Sequence, residues 1–341
     1  MDGKQRKRLL WQIPFLTILV VGTILIIRQQ QNMPYQKYSD FVFGTTFTVT
    51  YQCDSDLSRS IMAELMKVDH SLSPFNKESV ITAINENQDV KPDDMFMDVY
   101  HLAMEVSQET DGAFDITVAP LVNAWGFGFK NGDMPTSQQV DSLRQIIGYQ
   151  KLSVVDGKIR KQDPRMMLDC SAIAKGYGTD VVANFLRSRG VKNFMVEIGG
   201  EIVTCGINPD RLPWKVGVIK PTDDSLSVGH ELQTVLNVTD IAMATSGNYR
   251  NYYYKGGRKY AHTIDPATGY PVQHSILSAT VLAKTCAVAD AYATSFMVMG
   301  LERAKKVLEQ HPELMVYFIY DDGQGKNDVW FSPSLKDKIA D

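Results

Sequence analysis

The sequence predicts an α+β fold: two intimately packed subdomains of mixed or antiparallel sheet with flanking helices, preceded by an N-terminal transmembrane helix. Three observations predict it. Strand-like and helix-like segments come in unequal groups, not in a regular βαβ alternation. Turn dipeptides such as Asp156-Gly157 join short strand-like runs as hairpins. An apolar run from Leu9 to Ile27 follows the basic cluster Lys4, Arg6, Lys7 and Arg8.

That apolar run is long enough, at about 1.5 Å per residue, to cross most of a bilayer core of about 30 Å. Its basic flank stays cytoplasmic, which places the rest of the chain outside. No small-residue cleavage site follows Ile27, and the first cysteine is Cys53, so a retained signal anchor is expected. The expected layout is a basic stub and anchor over 1–28, a polar linker over 29–39 and one folded domain over 40–341. The expected location is the cell inner membrane, single-pass, with the domain on the extracytoplasmic side. The 341 residues are 44% hydrophobic and 22% charged, which suits a globular domain with a sizeable core. A net charge of -4, with no basic block beyond the N-terminus, excludes nucleic acid as the main partner.

Each element follows from local pattern. FGTTFTVTY, Phe43 to Tyr51, alternates β-branched and aromatic residues as a strand does. Asp56 to Val68 places Leu57, Ile61, Leu65 and Val68 on one helical stripe. A further helix covers Met95 to Thr110, and another opens at a cap on Thr136 or Ser137. KLSVVDGKIRKQ reads as a hairpin. Thr179 to Arg189 is helical, with Gly190 as its stop. NFMVEIGGEIVTCG is a strand broken at Gly199-Gly200, and WKVGVIKP and LQTVLNVTDIAMATS are further strands. Thr285 to Gly300 reads as an apolar helix, followed by a short amphipathic one from Leu301 to Gln310. The four cysteines are too few for a disulfide scaffold and read as free thiols.

Several segments carry possible chemistry. In LDCSAIAKGYGTD, Leu168 to Asp180, Ser171 and Lys175 stand four apart. A penicillin-binding type of pair needs three, and its companion motifs are missing. The scattered histidines give no zinc spacing. Asp290 and Thr294 share one face of an apolar helix, which suits either a buried polar pair or a hard-cation site with oxygen ligands. Thr245-Ser246-Gly247 reads as a turn before an aromatic strand, and Tyr249, Tyr252, Tyr253, Tyr254 and Tyr260 offer stacking faces. His262 stands three residues before Asp265, as a base with an orienting partner or as a histidine at a strand end.

Together these stretches resemble the FAD:protein FMN transferase (ApbE-type) family. The likeness lies in seven ordered motifs: FGTTFTV, SLSPFNKESVITAIN, DGAFDITVAPLVNAWGFG, LDCSAIAKGYGTD, VEIGGEI, ATSGNYR with HTIDPATG, and ADAYATSFMVMG. The resemblance implies magnesium-dependent transfer of FMN from FAD to a Ser or Thr hydroxyl of an exported redox protein, with release of AMP. It implies FAD contacts at Phe43, Ser73, Phe75, Ala113, Phe114, Asp115, Asp169, Lys175, Ser246, Gly247 and Ile264. It implies magnesium ligands at Asp290, Thr294 and the Ala172 carbonyl, and transfer chemistry at His262, with Lys175 at the pyrophosphate and Asp265 orienting the imidazole. Clients would be electron-transfer subunits such as those of sodium-pumping quinone reductases. The chain departs from the family pattern at Phe43 (commonly Met), at Phe75 (commonly Tyr) and at Cys170-Ser171-Ala172 (commonly Leu-Gly-Gly or Leu-Gly-Ala). Hydrolysis of FAD by water, or flavin storage without catalysis, are the alternative readings of the same motifs.

Overall fold

A computed structural model describes residues 12–24, 33–128, 134–221, 231–248, 252–255, 258–273, 275–324 and 326–340. Its centre is an antiparallel sheet of eight strands in the order β1-β2-β5-β6-β9-β12-β13-β14. These are β1 (Tyr35–Val42), β2 (Thr45–Gln52), β5 (Phe194–Ile198), β6 (Glu201–Cys205), β9 (Ala242–Gly247), β12 (Ile276–Ala283), β13 (Met315–Asp321) and β14 (Asn327–Phe331). Three two-stranded ribbons complete the strands: β3 (Leu152–Val155) with β4 (Lys158–Lys161), β7 (Trp214–Ile219) with β8 (Leu232–Val238), and β10 (Tyr252–Lys255) with β11 (Arg258–Ala261).

The α+β class with antiparallel pairing is as the sequence suggests, but the transmembrane helix is not. Among the described residues no helix is long and apolar enough to cross a membrane. The N-terminal helix α1 is described only over residues 12–24, which at about 1.5 Å per residue spans about 20 Å, well short of a bilayer core. The flanking residues of the predicted span, 9–11 and 25–27, lie outside the described residues. The chain also enters the sheet at Tyr35, inside the segment expected to be linker. One continuous sheet runs where two subdomains were expected.

Helices α7 (Ala174–Ser188) and α8 (Cys286–Gln310) pack directly on this sheet; α2 (Ser58–Leu72) and α4 (Asp94–Glu109) lie against them, α3 (Val80–Asn85) rests on α2, and α5 (Ala119–Ala124) with α6 (Ser137–Arg144) forms a separate apolar cluster. Local signals account for much of this. Thr136 closes a capping box with Gln139 at the start of α6. Asp156 and Gly157, at φ 53° and 72°, form the left-handed turn between β3 and β4. In α8 the two predicted helices run on across a break at Gly300, where φ 74° and ψ 173° are not helical. FGTTFTVTY divides, because Phe43 and Gly44 adopt φ 52° and 74° and turn the chain between β1 and β2. LQTVLNVTDIAMATS also divides, at Asp240, into β8 and β9 in different sheets. Thr245-Ser246-Gly247, expected as a turn, is the end of β9, where it pairs with Ser278, Ala279 and Thr280 of β12. All four cysteines are free thiols.

Candidate active site

The site forms where α7 meets α8. Gly176 permits the approach: a Cβ there would lie 2.4 Å from the Cys286 carbonyl oxygen. Asp180, one turn further along α7, accepts hydrogen bonds from the backbone N–H groups of Cys286 at 2.9 Å and Ala287 at 2.8 Å. It thereby caps α8, whose own N-cap residue Thr285 makes no side-chain cap bond. Burial pushes the Asp180 carboxyl up to about 6, against the two N–H donors that favour its charge.

Asp290 and Thr294 project from the same face of α8, as their spacing predicts. Asp290 is 3% exposed, and its Oδ2 accepts the Gly176 N–H at 3.0 Å. Thr294 Oγ1 shares a hydrogen bond of 3.1 Å with Ser246 Oγ on β9. Ala172 lies just before α7. The Gly176 N–H, next in line for its carbonyl, is turned to Asp290 instead, which leaves that carbonyl oxygen available as a ligand. A carboxylate, a hydroxyl and a backbone carbonyl are hard oxygen donors, so the residues present suit magnesium.

Lys175 is only partly exposed and is committed to carboxylates. Its ammonium pairs with Glu201 Oε1, at the start of β6, and lies 3.9 Å from Asp290 Oδ2. Burial opposes its charge, yet Asp290 and Glu201 outweigh burial and hold its pKa above the usual lysine range. Glu201 is 3% exposed, and its Oε2 is buried with no hydrogen-bond partner. Burial pushes its carboxyl up to about 7, against the pull of Lys175. Burial likewise raises Asp290, again against Lys175. Ser171 is exposed, and with the lysine committed to carboxylates no Ser–Lys dyad forms.

The remaining expected residues divide between loops and core. Asp169 donates its N–H to the Ile116 carbonyl at 2.8 Å and accepts the Ser171 N–H on Oδ1 at 2.8 Å, which shapes the loop before α7. That loop is also clasped from α3, where Asn85 bonds the Leu168 N–H and carbonyl at 2.7 and 2.9 Å. Asp115 is bound inward: Oδ1 accepts the Thr117 N–H and hydroxyl, and Oδ2 accepts the Tyr149 N–H at 3.0 Å. Ala113, Phe114 and Ile264 are buried as whole residues, and the Ala113 and Phe114 N–H groups are bonded to the Thr110 carbonyl and hydroxyl. Ser73 follows α2 and accepts the Ser79 hydroxyl on its carbonyl, while Phe75 presents an exposed ring. Phe43 lies over α7 at Gly178, where a Cβ would come within 2.7 Å of the ring.

His262 is brought to the same end of β9 as Ser246 and Gly247. Its neighbour Thr263 donates its hydroxyl to Asn248 Oδ1 at 2.7 Å, and the imidazole meets the edge of Phe127 at a centroid distance of 6.4 Å. Asp265 organises the turn after it, accepting the Ala267 N–H on Oδ1 at 2.9 Å and the Gly269 N–H on its carbonyl at 2.7 Å. Tyr249, and the side chains of Tyr252, Tyr253 and Tyr254, lie outside the described residues. Glu201, Asp180 and Gly176 were not legible as site residues. The signal for Glu201 was present: a charged residue opening a strand whose first four residues are all buried.

The fold recurs in known proteins. A flavin transferase ApbE from Vibrio cholerae superimposes with a TM-score of 0.80 at 35% identity, covering 89% of this chain and 100% of that structure. The apo flavinyl transferase ApbE of Pseudomonas stutzeri gives a TM-score of 0.80 at 29% identity, covering 90% and 97%. In sequence, an FAD:protein FMN transferase of Vibrio cholerae is 39% identical over 293 residues, 82% of this chain and 86% of the relative. That of Escherichia coli K12 is 35% identical over 291 residues, 83% and 81% of the two chains. The ApbE family model matches residues 43–318. With that match and those relatives, the chain belongs to the ApbE family.

Proposed function

We propose that this chain transfers FMN from FAD to a Ser or Thr hydroxyl of an acceptor redox protein, releasing AMP. The observation that supports it is the all-oxygen set of Asp290, Thr294 and Ala172 at the α7–α8 junction, with His262 held at the same end of β9 by Thr263 and Asn248. Asp290, Thr294 and the Ala172 carbonyl would hold magnesium. When bound, magnesium offsets the negative charge of the FAD pyrophosphate. His262 takes the proton from the acceptor hydroxyl as the acceptor oxygen attacks the FMN-side phosphorus; the bond from that phosphorus to the bridging oxygen of the pyrophosphate breaks, and AMP departs carrying the bridging oxygen. The backbone around Ala113, Phe114 and Gly247 and the exposed Phe75 ring would seat the flavin, and Asp265 keeps the His262 loop in shape. We place the domain on the extracytoplasmic side, where the exported redox acceptors implied by the motif resemblance would meet it; fractionation of cells expressing the full chain tests this. The activity is tested by mixing protein, FAD, magnesium and an acceptor domain. A covalent fluorescent adduct on a denaturing gel is expected; free FMN and AMP without adduct would make water the acceptor instead.

A further inference from the structure

The buried Glu201 and Asp290 carboxylates flank the partly exposed Lys175 ammonium, a group of one cation and two carboxylates. Lys175 leans to Glu201 Oε1 and stays 3.9 Å from Asp290 Oδ2. The Gly176 N–H also falls on Oδ2, so both protein contacts with Asp290 use one oxygen and leave Oδ1 without a hydrogen bond. Glu201 Oε2, buried and unpartnered, is the unusual feature. An ion pair that served packing alone would satisfy both oxygens, because a buried carboxylate oxygen without a donor costs about 1–3 kcal/mol or more. Glu201 comes from β6, which packs against α7 and α8, and is not one of the oxygen ligands described above.

We propose that Glu201 is a positioning residue: it holds the Lys175 ammonium away from Asp290, so that Asp290 keeps its negative charge for a divalent cation. This rests on the reading of Asp290 as a cation ligand. Two carboxylates against one ammonium leave the group net negative. With Glu201 neutral, the ammonium turns to Asp290 and the group is neutral. A unit charge about 4 Å away at an effective dielectric near 20 is worth about 4 kcal/mol, or about 10³-fold in affinity; Glu201 acts through Lys175 and not on the cation directly, so a smaller change of about 10- to 100-fold is expected.

The test is Mn²⁺ binding to the full protein without FAD, followed by electron paramagnetic resonance, alongside adduct formation at saturating magnesium. E201Q is expected to weaken Mn²⁺ binding by about 10- to 100-fold. The double variant E201Q/K175M, which removes the competing ammonium as well, is expected to recover most of that loss. A purely structural role for Glu201 predicts the opposite, a double variant no better than E201Q, and that result overturns the proposal, as does unchanged binding in E201Q. Should E201Q fail to fold, K175M decides: with no ammonium to restrain, binding must be at least as tight as wild type, and weaker binding overturns the proposal. D290A serves as the control for the underlying reading. If D290A binds Mn²⁺ like wild type, the ligand assignment fails; if D290A loses binding while E201Q does not, only the positioning role fails.

Discussion

Replacing Gly176 by alanine tests how closely the site depends on the contact between α7 and α8. The new Cβ would sit 2.4 Å from the Cys286 carbonyl oxygen, 2.7 Å from its carbon and 2.9 Å from Ala287 Cα. All three are backbone atoms, so no rotamer change relieves the contact. The helices must separate by about 1 Å, an overpacking strain of about 1–3 kcal/mol. The same movement stretches the 3.0 Å hydrogen bond from the Gly176 N–H to Asp290 and both bonds from Asp180 to the α8 N-terminus. Bonds to charged acceptors contribute about 1.5–3 kcal/mol each, so partial loss brings the total to about 2–5 kcal/mol. Urea unfolding should show this as a lower midpoint with an unchanged slope. Mn²⁺ titration should show weaker binding, because Asp290 and Thr294 move with α8 while Ala172 does not. Stability and cation affinity both equal to wild type would refute the close-approach argument.

Three further outcomes follow from the geometry. His262→Ala should reduce adduct formation by about 10²–10⁴-fold while FAD binding, read by fluorescence quenching, stays near wild type; loss of FAD binding would make His262 a binding residue. Asp115→Ala removes the acceptor of three hydrogen bonds and should lower stability by about 2–4 kcal/mol in urea unfolding, whereas a residue that only touches flavin would leave apo-protein stability unchanged. The pH dependence of stability has a definite sign. Glu201 titrates at about 7 in the folded protein against 4.5 ordinarily, so the folded state holds the proton more tightly and stability falls as pH rises between those values. E201Q should flatten this decline measured by unfolding, and a decline unchanged in E201Q would assign it to other groups.

Much of the fold was legible where it depends on neighbours in sequence. The Thr136 capping box, the Asp156-Gly157 hairpin and the Gly190 helix stop are each set by a few adjacent residues. Asp290 and Thr294 were legible for the same reason, since four residues along a helix make one face. The errors came where distant contacts decide. Thr245-Ser246-Gly247 has turn composition, yet pairing with β12 draws it into the central sheet. The β8–β9 break depended on one residue, Asp240, in the left-handed region. The apolar N-terminal run has membrane-like composition, but the described helix is too short to cross. In the site, Glu201 lies 26 residues from Lys175, and Asp180 lies 106 from Cys286, so no local pattern pairs them. Lys175 read alone promised a free charge, which the sheet supplies with a carboxylate.

Covalent transfer itself is the central claim, and intact-mass spectrometry of the acceptor measures it most directly. The acceptor domain, incubated with this protein, FAD and magnesium, should gain the mass of one FMN less water, with one AMP released per adduct. Substitution of the acceptor hydroxyl should abolish the gain. An acceptor of unchanged mass, with FAD intact or cleaved only to free FMN and AMP, would contradict the account.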